Sequence, residues 1–353
     1  MNIDEVKQKL ETLNQPQLQD FVLDLYLQYP ELKVKIETLV LLNNPEDLAK
    51  SINKRIQSIK RGRKFIDYRN SWQFSRDLQS IVDDTESGLL DVSPKQAFLS
   101  AEKFLATAES VLNRVDDSSG TIGEVYRDAV LLWLTAASIW RDSKINWMER
   151  VYQLYQQNDY GVLDPLLPNS HLLLDQDQLH QLAWRYESEL RQAKKTHIES
   201  GKLNFAELHA GVALSAMAKA MKDPALYEKS VLISSPEPNG IQKKDIASVY
   251  LEFNQPDKAL RWLNDEWEAR FEFDRLQMLD ETYEKLNDKD QQKQIRYQLY
   301  QSQPSYELFK RYQMLLNEEE KLIARTEAVK QAENGGNLAQ SANLPICYCN
   351  WAK

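Results

Sequence analysis

Glycine and proline are scarce in this chain, at 10 and 12 of 353 residues, about half their usual combined share. Proteins built from strands and tight turns need that punctuation, so helix is the expected structure. Both cysteines, Cys347 and Cys349, lie in the last seven residues, which leaves no disulfide framework and no internal thiolates for a zinc site. Long apolar runs are also missing. The opening "MNIDEVKQKLETL" alternates charges with single apolar residues, so neither a secretory leader nor a membrane span is expected. The expectation is a cytoplasmic protein with no membrane partner. A net charge of −9 argues against a generally cationic nucleic-acid binder, while leaving local patches open. Catalytic signatures are absent too: there is no GxSxG, no glycine-rich phosphate cradle and no HExxH, and His171, His180, His197 and His209 fall at no ligand spacing. Acid pairs such as Asp83–Asp84 and Asp116–Asp117 do not form an acid/base couple without a cleft to separate their pKa values. We expect no catalytic, metal or cofactor-binding residue, no cofactor and no enzymatic activity.

What is present is helical periodicity. With 42% hydrophobic and 27% charged residues, the composition is that of an ordered soluble protein. Pro16 and Pro30 suit first helical turns, and Asn44 with Pro45 opens "NNPEDLAKSINKRIQSIK" with two acids where the helix dipole favours them. Leu18, Phe21, Val22, Leu25 and Tyr29, then Leu32, Ile36, Leu39 and Val40, recur at helical spacing. These elements predict a small opening bundle of three short helices, with a fourth leaving it. Helical patterning continues to about residue 222 through Phe98, Ala101, Phe104 and Leu105 and through Val125, Ala129, Trp133 and Trp140. "DYGVLDPLLPNSHLLLDQD" carries few helical signals, and "SSPEPNGIQ" is the strongest breaker, placing a subdomain boundary there. Beyond it, Tyr250, Asn254, Ala259 and Leu263 have the spacing of a tetratricopeptide unit. Tyr283 and Asn287 repeat the first two 33 residues later, although Gln292 stands where a small residue is expected. The fold class expected is all-α, a helical bundle leading into an α-solenoid with tetratricopeptide-like helix pairs. The domains are 1–70 with the basic segment, 71–233 as central helical hairpins, 241–333 as repeats and 334–353 as an atypical tail.

"RVDDSSGTIGEVYRD" raises a choice between an ion-binding loop and a turn. A calcium loop centred on Gly120 would need acids where Val115 and Tyr126 stand, and a phosphate loop would need a preceding strand and a following lysine. A turn between helices at 98–114 and 122–141 remains, with Gly120 left-handed and Thr121 capping the next helix.

The densest local signal is "KSINKRIQSIKRGRKFIDYRNSWQF". Residues 50–69 hold eight basic side chains and one acid, and Phe65, Tyr68, Trp72 and Phe74 are interleaved or follow. Cations alternating with rings suit single-stranded nucleic acid, with Lys60, Arg61, Arg63 and Lys64 on phosphates, Arg69 beside them and Phe65 or Tyr68 stacking on bases. The competing reading comes first: rings at this density pack into the core, and the cations pair with the acidic remainder of the chain.

"RIQSIKRGRKFIDYRNSWQFSRDLQSIVD" and "AEKFLATAESVLNRVDDSSGTIGEVYRDA" together resemble an uncharacterised family of bacterial, all-helical, tetratricopeptide-like proteins known only as a domain of unknown function. The basic run, the stretch Phe65, Ile66, Asp67, Tyr68, Arg69 and the turn Asp116, Asp117, Ser118, Ser119, Gly120 carry the likeness, which extends over most of 1–333. It implies a helical-repeat fold and assigns no activity, cofactor or catalytic residue.

The tail "NGGNLAQSANLPICYCNWAK" breaks from everything before it. From Pro345, the frame two bases on permits a sequence such as Tyr-Leu-Leu-Leu-Gln-Leu-Gly-Lys, which resembles the first helix of another repeat. The expectation is a frame lost near Leu344 and a solenoid cut short; a natural disordered terminus is the alternative. The functional expectation is a non-enzymatic scaffold that binds a protein or peptide partner on its solenoid surface, where stacked helix pairs form a concave face. A nucleic-acid-binding accessory protein using residues 50–74 is the alternative.

Overall fold

The computed structural model describes residues 1–29, 32–158, 160–202 and 205–333, so the expectations for the tail lie outside the described residues. Among these the chain is all-helical, with one isolated bridge and no strand, and no helix is long and apolar enough to cross a membrane. The described residues fall into two compact units, which divide between Leu182 and Ala183 within one helix.

In unit 1, α1 (Ile3–Leu10), α2 (Gln15–Gln28) and α3 (Lys33–Leu41) form near the places marked by Asn and Pro; the side chain of Asn14 caps α2, with Pro16 in its first turn. None of the three holds a buried residue, and Phe21, Leu39 and Val40 are exposed, so the opening helices do not close a core of their own. Burial begins with α4 (Pro45–Arg61), whose Leu48, Ala49, Ile52 and Ile56 face inward. It continues through α5 (Tyr68–Leu89), α6 (Pro94–Leu105), α7 (Ala108–Leu112) and α8 (Thr121–Trp140). α8 is apolar on most of its circumference, which suits a helix surrounded by neighbours, and it packs against α5 and α6. Phe98 stands at its centre, 5.2 Å from the rings of both Trp133 and Trp140 and edge-on to Trp147 at 5.5 Å. Trp147 opens α9 (Trp147–Tyr155). The irregular stretch after α9 also belongs to the core: Val162, Leu163, Leu166, Leu167, Leu173 and Leu174 are buried without helical periodicity.

The unit boundary falls within α10 (Gln176–Ser200). Unit 2 continues with α11 (Phe205–Met221), α12 (Pro224–Ser234), α13 (Gly240–Glu252), α14 (Pro256–Leu263), α15 (Glu272–Lys285), α16 (Lys289–Ser302), α17 (Tyr306–Gln313) and α18 (Glu318–Glu333). From α11 to α17 each helix packs on the next. Three of the turns are the same turn. Lys222, Asn254 and Asn287 take left-handed φ of 54°, 53° and 55°. The N–H after each donates to a carbonyl five residues back, from Asp223 to Ala218 at 2.9 Å, Gln255 to Tyr250 at 2.8 Å and Asp288 to Tyr283 at 3.0 Å. This is the Schellman closure, recurring at intervals of 32 and 33 residues. The α11–α12 pair therefore shares the turn of the two later pairs, which the sequence pattern did not reveal.

The two helix pairs that carry the sequence pattern differ inside. Ala247, Ala259 and Leu263 meet in the α13–α14 core, each fully buried. Thirty-three residues on stand Asp280, Gln292 and Arg296, also buried. Asp280 Oδ1 accepts from Gln292 Nε2 at 2.9 Å and Arg296 Nε at 2.7 Å, while its other oxygen pairs with Arg311 of α17. Gln292 thus occupies the place of a small residue because an acid across the helix pair takes up its amide.

Candidate functional site

The "VDDSSG" stretch is a turn with its own internal ligand. Gly120 is left-handed, at φ 74°, as its sequence position requires, but Thr121 does not cap α8. Asp117 does, accepting from the N–H groups of Ile122 at 2.9 Å and Gly123 at 2.8 Å. A carboxylate already occupies the place where a helix N-terminus would hold a phosphate. The preceding helix is also shorter than expected, since α6 ends at Leu105 and α7 is a separate short piece. Asp117→Ala is expected to cost about 1–2 kcal/mol, measured by chemical denaturation.

The two sequence segments that carry the family likeness meet in space. Ile66 N–H donates to Arg114 O and Asp116 N–H to Ile66 O, both at 2.9 Å, forming a parallel bridge between Ile66 and Val115. The Arg114 guanidinium donates to Ile59 O at 3.1 Å and Lys64 O at 3.3 Å and lies 5.2 Å from the Phe74 ring. Gly62 leaves room for this clamp, because a Cβ there would sit 2.9 Å from the guanidinium. Asp67 caps α5 through Asn70 N–H at 3.0 Å, and the Asn70 backbone and side-chain amides hold its carboxyl below the usual range.

On this pinned corner the rings are not in the core. Phe65, Tyr68 and Trp72 are 61%, 58% and 60% exposed, and of the four rings only Phe74 is half-buried. Lys60, Arg61, Arg63, Lys64 and Arg69 are exposed and make no ion pair among the described residues. Arg76 also lies exposed, 4.9 Å from the Trp72 ring. Lys50 and Arg55 differ, paired with Asp47 and Asp84. The expectation that this segment is structural is thus met by Arg55, Phe74 and the clamp, and fails for the corner.

Unit 2 carries a groove of about 860 Å³ between α10, α12, α13 and α14. Its apolar lining includes Ile198, Ala225, Leu232 and Ile233, and its cations are Arg191, Lys194, Lys195, Lys229, Lys258 and Arg261 against Glu199 and Glu228. Lys194 is tied down, donating to Ser234 O at 2.6 Å and lying 3.3 Å from Glu207. Lys229 reaches Glu187 at 2.7 Å. Tyr250, expected only to pack the repeat, is buried and also donates its hydroxyl to Glu228 at the base of the groove. Burial first, then that carboxylate, push the Tyr250 phenol well above its usual pKa. Lys258 Nζ sits 5.7 Å from the same ring. Of the other positions named in the sequence pattern, Ala259 and Leu263 are fully buried, Tyr283 lies against their cluster, and Asn254 and Asn287 take left-handed turns.

Among the described residues no group of three or more His, Cys, Asp or Glu side chains could hold a metal. His197 faces the buried Glu207, while His171 and His180 contact backbone carbonyls of their own segments at 3.1 and 2.8 Å.

Over residues 6–344 the sequence matches the model of a family of unknown function, DUF6880. The chain belongs to this family. No curated protein and no solved structure matches it. The segments that carry the resemblance seen in the sequence, the basic run with Phe65 to Arg69 and the Asp116 to Gly120 turn, are joined by the Ile66–Val115 bridge.

Proposed function

We propose that this DUF6880 protein is a non-enzymatic, cytoplasmic scaffold whose unit 2 is a short tetratricopeptide-like solenoid, and that it binds an acidic peptide segment of a partner protein in the α10–α14 groove. The observation that carries this reading is the groove itself, an apolar floor rimmed by more cations than acids in a chain of net charge −9. The recurring Schellman turns and the neighbour-on-neighbour packing support the solenoid, since stacked helix pairs create such concave surfaces. Arg191, Lys195, Lys229, Lys258 and Arg261 are exposed and supply the electrostatic complement, since Arg191 and Lys229 share the single Glu187 and the pairs Lys195–Glu199 and Arg261–Glu228 are loose at 3.9 and 3.5 Å, while Ile198, Leu232 and Ile233 supply apolar contact.

Peptide arrays pairing runs of Asp and Glu with single apolar anchors test this on the full chain. Binding is expected to weaken at least tenfold, about 1.4 kcal/mol, when Lys229, Lys258 and Arg261 are together changed to glutamate. Basic versions of the same peptides are expected not to bind. Equal binding by the charge-reversed protein, or no acidic peptide bound at all, rules the reading out.

A further inference from the structure

We propose that the α4–α5 corner of unit 1 is a second binding site, for single-stranded nucleic acid, with phosphates on Lys60, Arg61, Arg63, Lys64 and Arg69 and bases stacked on Phe65, Tyr68 and Trp72. This site does not depend on the unit 2 groove, and its geometry is its own. Tyr68 and Trp72 are four residues apart on α5 and share a face. Arg69 and Arg76 flank Trp72 at three and four residues, so cations and rings alternate along one helix edge. Lys60 and Arg61 in the last turn of α4 and Arg63, Lys64 and Phe65 in the connection extend the alternation.

Three features favour a ligand over idle surface. The rings are large and more than half exposed, which costs stability unless something covers them. The cations make no ion pair among the described residues, Arg61 reaching only the neutral Gln57 at 3.5 Å and the Arg69 side chain standing near Asp67 without bonding to it, although the chain as a whole has acid to spare. The backbone beneath them is held by the Ile66–Val115 bridge, the Arg114 clamp and the Asp67 cap, so the groups are preorganised and lose little freedom on binding.

The same features select the class of ligand. Duplex DNA offers phosphates but keeps its base faces stacked, which would leave the three rings unused. A membrane-surface helix segregates its rings from its cations so that the rings can enter the acyl region. Here Arg76 lies against Trp72, and burying the ring in lipid would drag the guanidinium with it. Unpaired bases with phosphates between them match the alternation.

Fluorescence anisotropy of the full chain with labelled oligo(dT) and oligo(U) of about 16 nucleotides, over a salt series, tests the site. Binding at low salt should weaken as salt rises. Changing Lys60, Arg61, Arg63 and Lys64 to glutamine should flatten the logarithmic slope by about 0.7 for each phosphate no longer neutralised. Phe65→Ala, Tyr68→Ala and Trp72→Ala should each weaken binding on the order of tenfold without altering the slope, the signature of impaired stacking. All these side chains are exposed, so melting curves superimposable on wild type certify the variants. A control with Lys229, Lys258 and Arg261 changed to glutamate should bind oligonucleotide as wild type does, which separates this site from the groove. No binding at low salt, equal affinity for a duplex of the same length, indifference to the ring substitutions, or binding only to phosphatidylserine vesicles would each overturn the proposal.

Discussion

Asp280→Ala is expected to destabilise unit 2 by about 3–5 kcal/mol, because it removes the buried carboxylate bonded to Arg296 and leaves that guanidinium only the exposed Glu284 at 4.0 Å. The carboxylate is almost wholly enclosed, and Gln292, Arg296 and Arg311 all donate to it. The informative partner experiment transplants the interior of the neighbouring helix pair. Asp280→Ala combined with Gln292→Ala and Arg296→Leu recreates the Ala247, Ala259 and Leu263 set. The triple variant should recover most of the stability that the single one forfeits, since apolar residues that replace a whole buried network are often neutral or better. Arg311 keeps its own solvation, its side chain being 45% exposed. Urea denaturation followed by far-ultraviolet circular dichroism reads both. A triple variant as unstable as Asp280→Ala would mean that the two helix pairs are not equivalent inside.

Trp133→Ala should lower the stability of unit 1 by about 3–5 kcal/mol, the range for removing a buried aromatic and leaving a cavity. The side chain is fully buried and touches the rings of Phe98 and Trp147 at 5.2 and 6.4 Å. Trp133→Phe should cost distinctly less. The indole N–H of Trp133 has no hydrogen-bond partner among the described residues, so phenylalanine removes a buried donor whose desolvation costs about 1–3 kcal/mol and keeps a ring in the cluster. If the two substitutions cost the same, the indole has a partner in solution. The melting transition of unit 1 should shift in both variants, and far-ultraviolet circular dichroism below the transition serves as the control for global collapse.

The helices and many of their ends were legible because their signals are local: Asn and Pro at the starts, Asn254 and Asn287 at left-handed turns. The α11–α12 pair escaped because Lys222 makes the same turn without a side chain that favours it, so the backbone repeats where the sequence does not. Residues 160–174 escaped for the opposite reason: their leucines are core residues with no regular period, and burial there is decided by neighbours far along the chain. The basic and aromatic composition of the α4–α5 corner was plain in the sequence, but its exposure was not. Whether a ring is covered depends on which helices pack over it, and the same segment contains both outcomes, Phe74 against Arg114 and Trp72 in the open. The groove was the least legible feature, since its cations come from three separate helices.

The Ile66–Val115 bridge closes a loop that contains α5, α6 and α7. Two backbone hydrogen bonds cannot offset the entropy of joining residues so far apart, so the latch can form only after the helices inside the loop have docked. Its amides are therefore reporters of cooperative opening. In hydrogen exchange the Ile66 and Asp116 N–H groups, though near the surface and outside any helix, should exchange with the slow protons of α8 rather than with those of neighbouring turns. In refolding they should gain protection last within unit 1, which makes the α4–α5 corner the final part of that unit to take its native shape.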